Sequence, residues 1–196
     1  YRTLMAADSA VMLVDAAKGV EDQTRKLFHV CSLREMPIFT FINKMDREAQ
    51  DPFQLLEDIE SELGIKTYPM NWPIGSGKEF KGVYDRKNER IIAFNGGNHG
   101  ATEVEAIEGS VDDERFREIL GSALHDKLME DIELLDIAGD EFDVEKVRTG
   151  ELTPVFFGSA LTNFGVEPFL ENFLEMTTSP LPRQSNIGEI DVFDEN

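Results

Sequence analysis

The sequence predicts an open α/β fold: a parallel sheet with flanking helices, interrupted by an inserted α+β subdomain. Three observations predict it. Residues 9–15 (SAVMLVD), 37–43 (PIFTFIN) and 152–157 (LTPVFF) are short, nearly continuous apolar runs. Such runs suit strands buried on both faces, as in parallel sheets. A stretch of helical periodicity follows each run, and that alternation with short loops is the pattern of right-handed crossovers. Between residues 68 and 150 the alternation stops and other patterns replace it.

After the first strand, Ala16-Ala17-Lys18-Gly19 turns the chain. Val20, Thr24, Leu27 and Cys31 then recur at helical spacing, with Glu21 and Asp22 where a helix amino end favours acids. That helix should stop before Pro37. After the second strand, Asp51 reads as an N-cap and Pro52 as the first helical residue. Phe53, Leu56, Ile59 and Leu63 make its inner stripe, and Gly64 ends it. Trp72-Pro73-Ile74-Gly75, the turn Gly75-Ser76-Gly77 and alternating runs near residues 82–84 and 90–94 predict a small antiparallel element. Residues 95–100 (NGGNHG) read as a loop. Phe116, Leu120, Leu124, Leu128, Ile132 and Leu135 predict a long amphipathic helix with a break at Gly121, and a shorter helix follows around residues 144–149. Beyond the third strand come Gly158-Ser159-Ala160 and a helix with Val166, Phe169, Phe173 and Met176 inward. Ser179-Pro180-Leu181-Pro182 closes the domain. The expected organisation is thus 1–67 and 151–180 for the parallel-sheet domain, 68–150 for the insertion and 181–196 for an acidic linker.

Composition narrows the function. With 39 acidic against 19 basic side chains the net charge is −20, and the basic residues are scattered among carboxylates. Phosphate backbones need clustered Lys and Arg, so direct nucleic-acid binding is not expected. No run of about 18 apolar residues exists, so no membrane span is expected. The single cysteine, Cys31, cannot form an internal disulfide, which fits a reducing cytoplasm, and its place on an apolar stripe reads as core. The amino end, Tyr1-Arg2-Thr3-Leu4-Met5, reads as a cut into a longer protein rather than as a signal peptide.

Ligands of open α/β sheets sit at the carboxyl ends of the strands, and two sequence features fall there. The first is Asn43-Lys44-Met45-Asp46. Guanine offers two adjacent donors, N1–H and the 2-amino group, and the Asp46 carboxylate can accept both. Adenine has no such pair and would leave the charge unmatched. The Lys44 stem can lie across the ring face, and the Asn43 amide can brace neighbouring loops. The second feature is Ser159-Ala160, whose backbone N–H groups can donate to the guanine 6-oxo group. The tetrapeptide alone is weak; at the end of a buried strand, with G-S-A after a later strand, it is specific. Gly75-Ser76-Gly77-Lys78 imitates a phosphate loop, but Glu79 follows it and no helix signal does, so it is set aside. His29, His99 and His125 have no metal-ligand spacing. These features describe the base-reading part of a P-loop-type GTPase domain without its phosphate-reading part.

On these motifs the chain resembles the peptide chain release factor 3 family of translational GTPases. The matching stretches include DAAKGVE (15–21), NKMDR (43–47), WPIG (72–75), FKGVY (80–84), TPVFFG (153–158) and NFGV (163–166). Elongation factor G shares NKMDR but is less similar in WPIG and FKGVY. The resemblance implies GTP and GDP binding with magnesium, and action on the ribosome to remove class I release factors. It matches Asn43, Lys44 and Asp46 to the guanine motif and Ser159-Ala160 to the second base loop. Phosphate loop, switches and later domains of that family have no counterpart here, so this chain alone is not expected to be catalytic. Without the phosphate-loop strand, residues 9–15 should form an exposed apolar edge that self-associates or is shielded by the tail. Other readings are an elongation-factor-G-like fragment, a binding module whose acidic insertion docks a ribosomal stalk protein, or a folded domain without activity.

Overall fold

A computed structural model describes residues 7–94, 106–177, 183–185 and 188–190. In chain order it contains β1 (Ala10–Asp15), α1 (Asp22–Ser32), β2 (Ile38–Asn43), α2 (Pro52–Leu63), β3 (Lys66–Pro69), β4 (Asn71–Ile74), β5 (Gly82–Asp85), β6 (Arg90–Ala93) and β7 (Ala106–Glu108). There follow α3 (Glu114–Leu120), α4 (Ser122–Ala138), α5 (Val144–Arg148), β8 (Leu152–Phe157), α6 (Val166–Met176), β9 (Arg183–Ser185) and β10 (Gly188–Ile190). The loop expected at 95–100 and the Ser179–Pro182 segment lie outside the described residues. Within the stretch expected to be a linker, β9 and β10 pair as an antiparallel ribbon.

Four strands form a parallel sheet in the order β1-β2-β8-β3. β8 is buried at all six positions and β2 at all but Asn43, because each has a strand on both sides and helices on both faces. On one face Met12, Val14, Ile38, Ile42, Val155 and Phe157 meet Cys31 of α1 and Leu55, Leu56 and Ile59 of α2. On the other, Phe39, Phe41 and Phe156 meet α6, with Phe173 edge-on to Phe39 at 4.9 Å and Phe169 edge-on to Phe41 at 5.4 Å. The α2 amino end is capped as its sequence implies, the Asp51 carboxylate accepting from the Phe53 and Gln54 amides.

Two expectations need correction. β1 is outermost, in line with the exposed apolar edge expected of it, but it is not buried on both faces: only one face is covered. Met12 and Val14 are buried, whereas Val11 is 44% and Leu13 61% exposed. Leu27 of α1, expected to face inward, is 42% exposed. It borders a groove of about 300 Å³ with Val11, Leu13 and Phe28. Both departures have one cause: among the described residues nothing packs beyond β1. Burying a leucine side chain gains about 1.5–3 kcal/mol, and Leu13 forgoes much of it.

A second, antiparallel sheet, β4-β5-β6-β7, lies with α3–α5 between β3 and β8 in the chain. β3 has no counterpart in the sequence reading; it extends the parallel sheet to Pro69, two residues past the expected break at 67/68. The long helix does break at Gly121, into α3 and α4. Trp72 of β4 is fully buried and joins the layers. Its ring lies 4.6 Å from Phe53 and 5.5 Å from Phe157, and its indole N–H donates to the Asp131 carboxylate at 3.0 Å. An indole N–H enclosed without an acceptor would be costly, which is why a carboxylate faces it.

Candidate functional site

Because the strands run parallel, the carboxyl ends of β1, β2 and β8 emerge side by side. Asp15 is level with Asn43, and Ile42 is level with Phe157. The loops after these ends therefore meet without any long-range bend, and they carry every residue expected at the site. Backbone bonds fasten them. Ala16 N–H donates to Asn43 C=O at 2.9 Å, Gly158 N–H to Ile42 C=O at 3.0 Å, and Met45 N–H to Gly158 C=O at 3.1 Å. At Gly158 an added Cβ would lie 2.5 Å from the Phe164 carbonyl oxygen and 2.8 Å from the Phe41 ring, so only glycine fits between β2 and the loop.

Asn43 lies between the two loops. Its Oδ1 accepts from the Lys44 amide and from the Ala160 amide, both at 2.8 Å, tying the first loop to the second. Lys44 sits at φ 74°, in the left-handed region that a non-glycine residue enters rarely. Its ammonium reaches the Asp15 carboxylate at 2.5 Å, so the alkyl stem spans the gap between the ends of β2 and β1. Asp15 also accepts from the Ala17 amide at 2.9 Å. Sequence reasoning missed Asp15 as a site residue; its place at the end of a strand, level with the motif, was the available signal.

Asp46 is half-buried, and its Oδ1 is closed off from solvent without a hydrogen-bond donor among the described residues. Ser159 is fully buried, and its Oγ is likewise unpaired. The two amides expected to read a 6-oxo group are already engaged: Ser159 N–H donates to Phe164 C=O at 3.0 Å and Ala160 N–H to Asn43. A base oxygen would take the Ala160 amide only by sharing it with Asn43 or displacing it. Gly75-Ser76-Gly77-Lys78 forms a turn with a three-residue 3₁₀ segment, Gly77–Glu79, with no α-helix behind it. A cleft of about 590 Å³ lined by Lys87, Arg90, Glu108, Glu171 and Glu175 contains none of the base-loop residues. Among the described residues no group of three or more His, Cys, Asp or Glu side chains is placed to hold a metal ion, and no helix is long and apolar enough to cross a membrane.

This geometry has relatives. Residues 1–179 match the family described as the elongation factor Tu GTP binding domain. The chain belongs to that family. It is 57% identical over 183 residues to a peptide chain release factor 3 of Symbiobacterium thermophilum, covering 93% of this chain and 35% of the relative. It is 54% identical over 190 residues to a protein of the same name from Trichodesmium erythraeum, covering 97% of this chain and 35% of the relative. The chain thus spans about a third of the length of the curated relatives it matches. Among solved structures, the crystal structure of ttk003000868 from Thermus thermophilus matches with a TM-score of 0.64 and 27% identity, covering 90% of this chain and 27% of that one. In this GTP-binding-domain member the parallel sheet, its flanking helices and the antiparallel sheet agree with the fold read from the sequence.

The Asp15–Lys44 pair gives the site a pH signature. The Lys44 hydrogen bond holds the Asp15 carboxyl below the usual carboxylate range; burial works against it and the Ala17 amide with it. A depressed folded pKa contributes stability that is present above the unfolded value and lost as pH falls through the folded one. Asp15→Asn should therefore cost under about 1 kcal/mol at neutral pH, the Lys44 side chain being partly open to screening water. Urea midpoints of wild type and variant should differ at neutral pH and converge as pH falls through and below the depressed Asp15 range, where the carboxyl is protonated in both states. A gap that persists in acid would show that Asp15 acts through packing and not through charge.

Proposed function

We propose that this chain is the guanine-reading part of a ribosome-dependent GTPase of translation termination, acting in the cytoplasm. The observation that carries the reading is the Asp46 carboxylate. It stands with an unpaired oxygen beside two loops already tied together by Asn43. Guanine N1–H and its 2-amino group are the donor pair such a carboxylate lacks. Asn43, Lys44, Asp46, Ser159 and Ala160 are the proposed base contacts: Asp46 reads the donor edge, Lys44 lies along the ring, and the second loop faces the 6-oxo group. The donor set fits GDP or GTP at the base. Among the described residues no group of side chains is placed to hold magnesium, which we assign to the rest of the protein along with phosphate binding and hydrolysis. To the whole protein we also assign the removal of class I release factors from the ribosome, a reading supported by the relatives' name, peptide chain release factor 3.

A second reading is favoured by α4. Leu134 and Ile137 are 52% and 75% exposed on a helix that also carries Glu130, Glu133 and Asp136. An apolar strip among carboxylates suits a basic amphipathic partner, and a ribosomal stalk protein is the proposed one. A third surface is the outer edge of β1, which carries the exposed Val11 and Leu13, has no strand partner among the described residues, and holds no Lys or Pro to block it. We propose that it pairs with a second copy of the chain.

An NMR titration with GDP, with ADP as control, should shift amides at Asn43–Asp46 and Ser159–Ala160 with GDP only. Asp46→Ala should abolish those shifts. In the full-length protein Asp46→Asn should move preference from guanine toward xanthine and cost about 2–4 kcal/mol of GTP affinity, the scale of a broken charged pair. Equal responses to both nucleotides would refute the base assignment. Purified stalk protein should bind without nucleotide and lose affinity about tenfold in Ile137→Asp, the scale of leaving one apolar side chain unburied; unchanged binding would remove α4 from the interface. Light scattering should show a dimer that Val11→Lys dissociates, whereas a monomer at high concentration would exclude edge pairing.

A further inference from the structure

The antiparallel sheet and its β4–β5 connection meet the base loops and the adjoining end of β8 at three points. First, Asn71 opens β4 and is 5% exposed. Its Oδ1 accepts from Phe157 N–H at 2.7 Å, and its Nδ2 donates to Phe157 C=O at 3.1 Å. The β3 ladder ends with Pro69 opposite Val155, so this side-chain amide continues the ladder for the last residue of β8. The next residues are Gly158-Ser159-Ala160. Second, Gly77 N–H donates to Met45 C=O at 3.1 Å, inside the Asn43–Asp46 loop. Gly77 has φ 58°, and a Cβ there would come to 3.4 Å from the Glu48 nitrogen. Third, Phe164, whose N–H and C=O pair with Ser159, takes the ring of Phe80 at 5.5 Å and that of Phe94 at 5.3 Å, both edge-on.

We propose that the antiparallel sheet is the third wall of the guanine site, with Asn71, Gly77 and Phe80 as positioning residues that set the spacing of the two base-reading loops. The inference deepens the base assignment above and rests on it for its ligand. Its physical basis is that each loop has one flank on the parallel sheet and the other on this second layer. Loop ends fixed from one side alone hinge about that side; ends fixed from both sides hold one spacing. The turn at Gly75–Lys78, which lacks the features of a phosphate cradle, thereby acquires a role as a prop under the first loop.

The test combines amide exchange of the nucleotide-free chain with GDP titration, using Gly77→Ala and Phe80→Leu. Gly77→Ala keeps the Met45 hydrogen bond only with strain, and Phe80→Leu removes one ring from Phe164. Each should raise exchange at the Met45, Ser159 and Ala160 amides and weaken GDP binding by about 5- to 10-fold, the scale of one hydrogen bond or one aromatic pairing. Exchange in the middle of β2 and β8 should stay at the wild-type rate. Wild-type values at the three loop amides in both variants would overturn the proposal. So would a uniform rise across β2 and β8, which would mean that these bonds and rings serve overall stability alone. If the unmodified chain fails to discriminate GDP from ADP, the base assignment falls, while the exchange pattern still decides whether the second sheet sets the loops.

Discussion

One carbonyl oxygen organises the site. Asn43 Oδ1 accepts two amides, one from its neighbour Lys44 and one from Ala160, a residue 117 positions away. The first bond accompanies the left-handed turn at Lys44, where backbone strain has to be offset by neighbouring contacts. The second fixes the distance between two loops that different strands deliver. The second bond would not form if β2 and β8 were out of step by one residue. Their register, Ile42 against Phe157, is held by the apolar alternation that sends Ile42 to one helix layer and Phe41 to the other.

That dependence explains which parts of the molecule were legible in the sequence. β2 and β8 were visible because central parallel strands must be apolar throughout, and PIFTFIN and LTPVFF are nearly so. The α2 boundaries were visible because Asp51, Pro52 and Gly64 each have a local chemical reason for their place. β3 was not visible. Its four residues, Lys66-Thr67-Tyr68-Pro69, mix a charged and a polar residue with a proline, and only pairing with β8 makes them a strand. The proline is tolerated there because β3 is an edge strand. The exposure of Leu27 was equally hidden, because periodicity shows which residues share a face and not what covers it.

The candidate site divides in the same way. The residues of the Asn43–Asp46 loop were readable because their chemistry is carried by their own side chains. The Ser159 and Ala160 amides were readable as a loop but not as donors already in use, since backbone engagement depends on the fold of the neighbouring turn. Asn71 was unreadable for a stronger reason. Its side chain stands in for a strand residue, and nothing in an asparagine among NWPI announces that the β3 ladder ends two residues short of the end of β8. The paired threonines Thr40 and Thr153, whose hydroxyls meet at 2.8 Å, are a further case. Each alone would be an unsatisfied polar group in the core, and together they satisfy each other.

The frame also accounts for how an unpaired carboxylate oxygen persists at Asp46. A buried acceptor without a donor costs about 1–3 kcal/mol, and a loop free to move would turn it to water. This loop is held on both sides of Asp46. Met45 is fully buried with its amide on Gly158 and its carbonyl on Gly77, and Arg47 N–H returns to the Lys44 carbonyl at 3.0 Å. What remains free is the rotation of one short side chain. The position of Asp46 is therefore set by its neighbours' bonds and not by its own. Donors arriving there gain most, because the ordering of the loop, which binding would otherwise have to supply, is already fixed by folding.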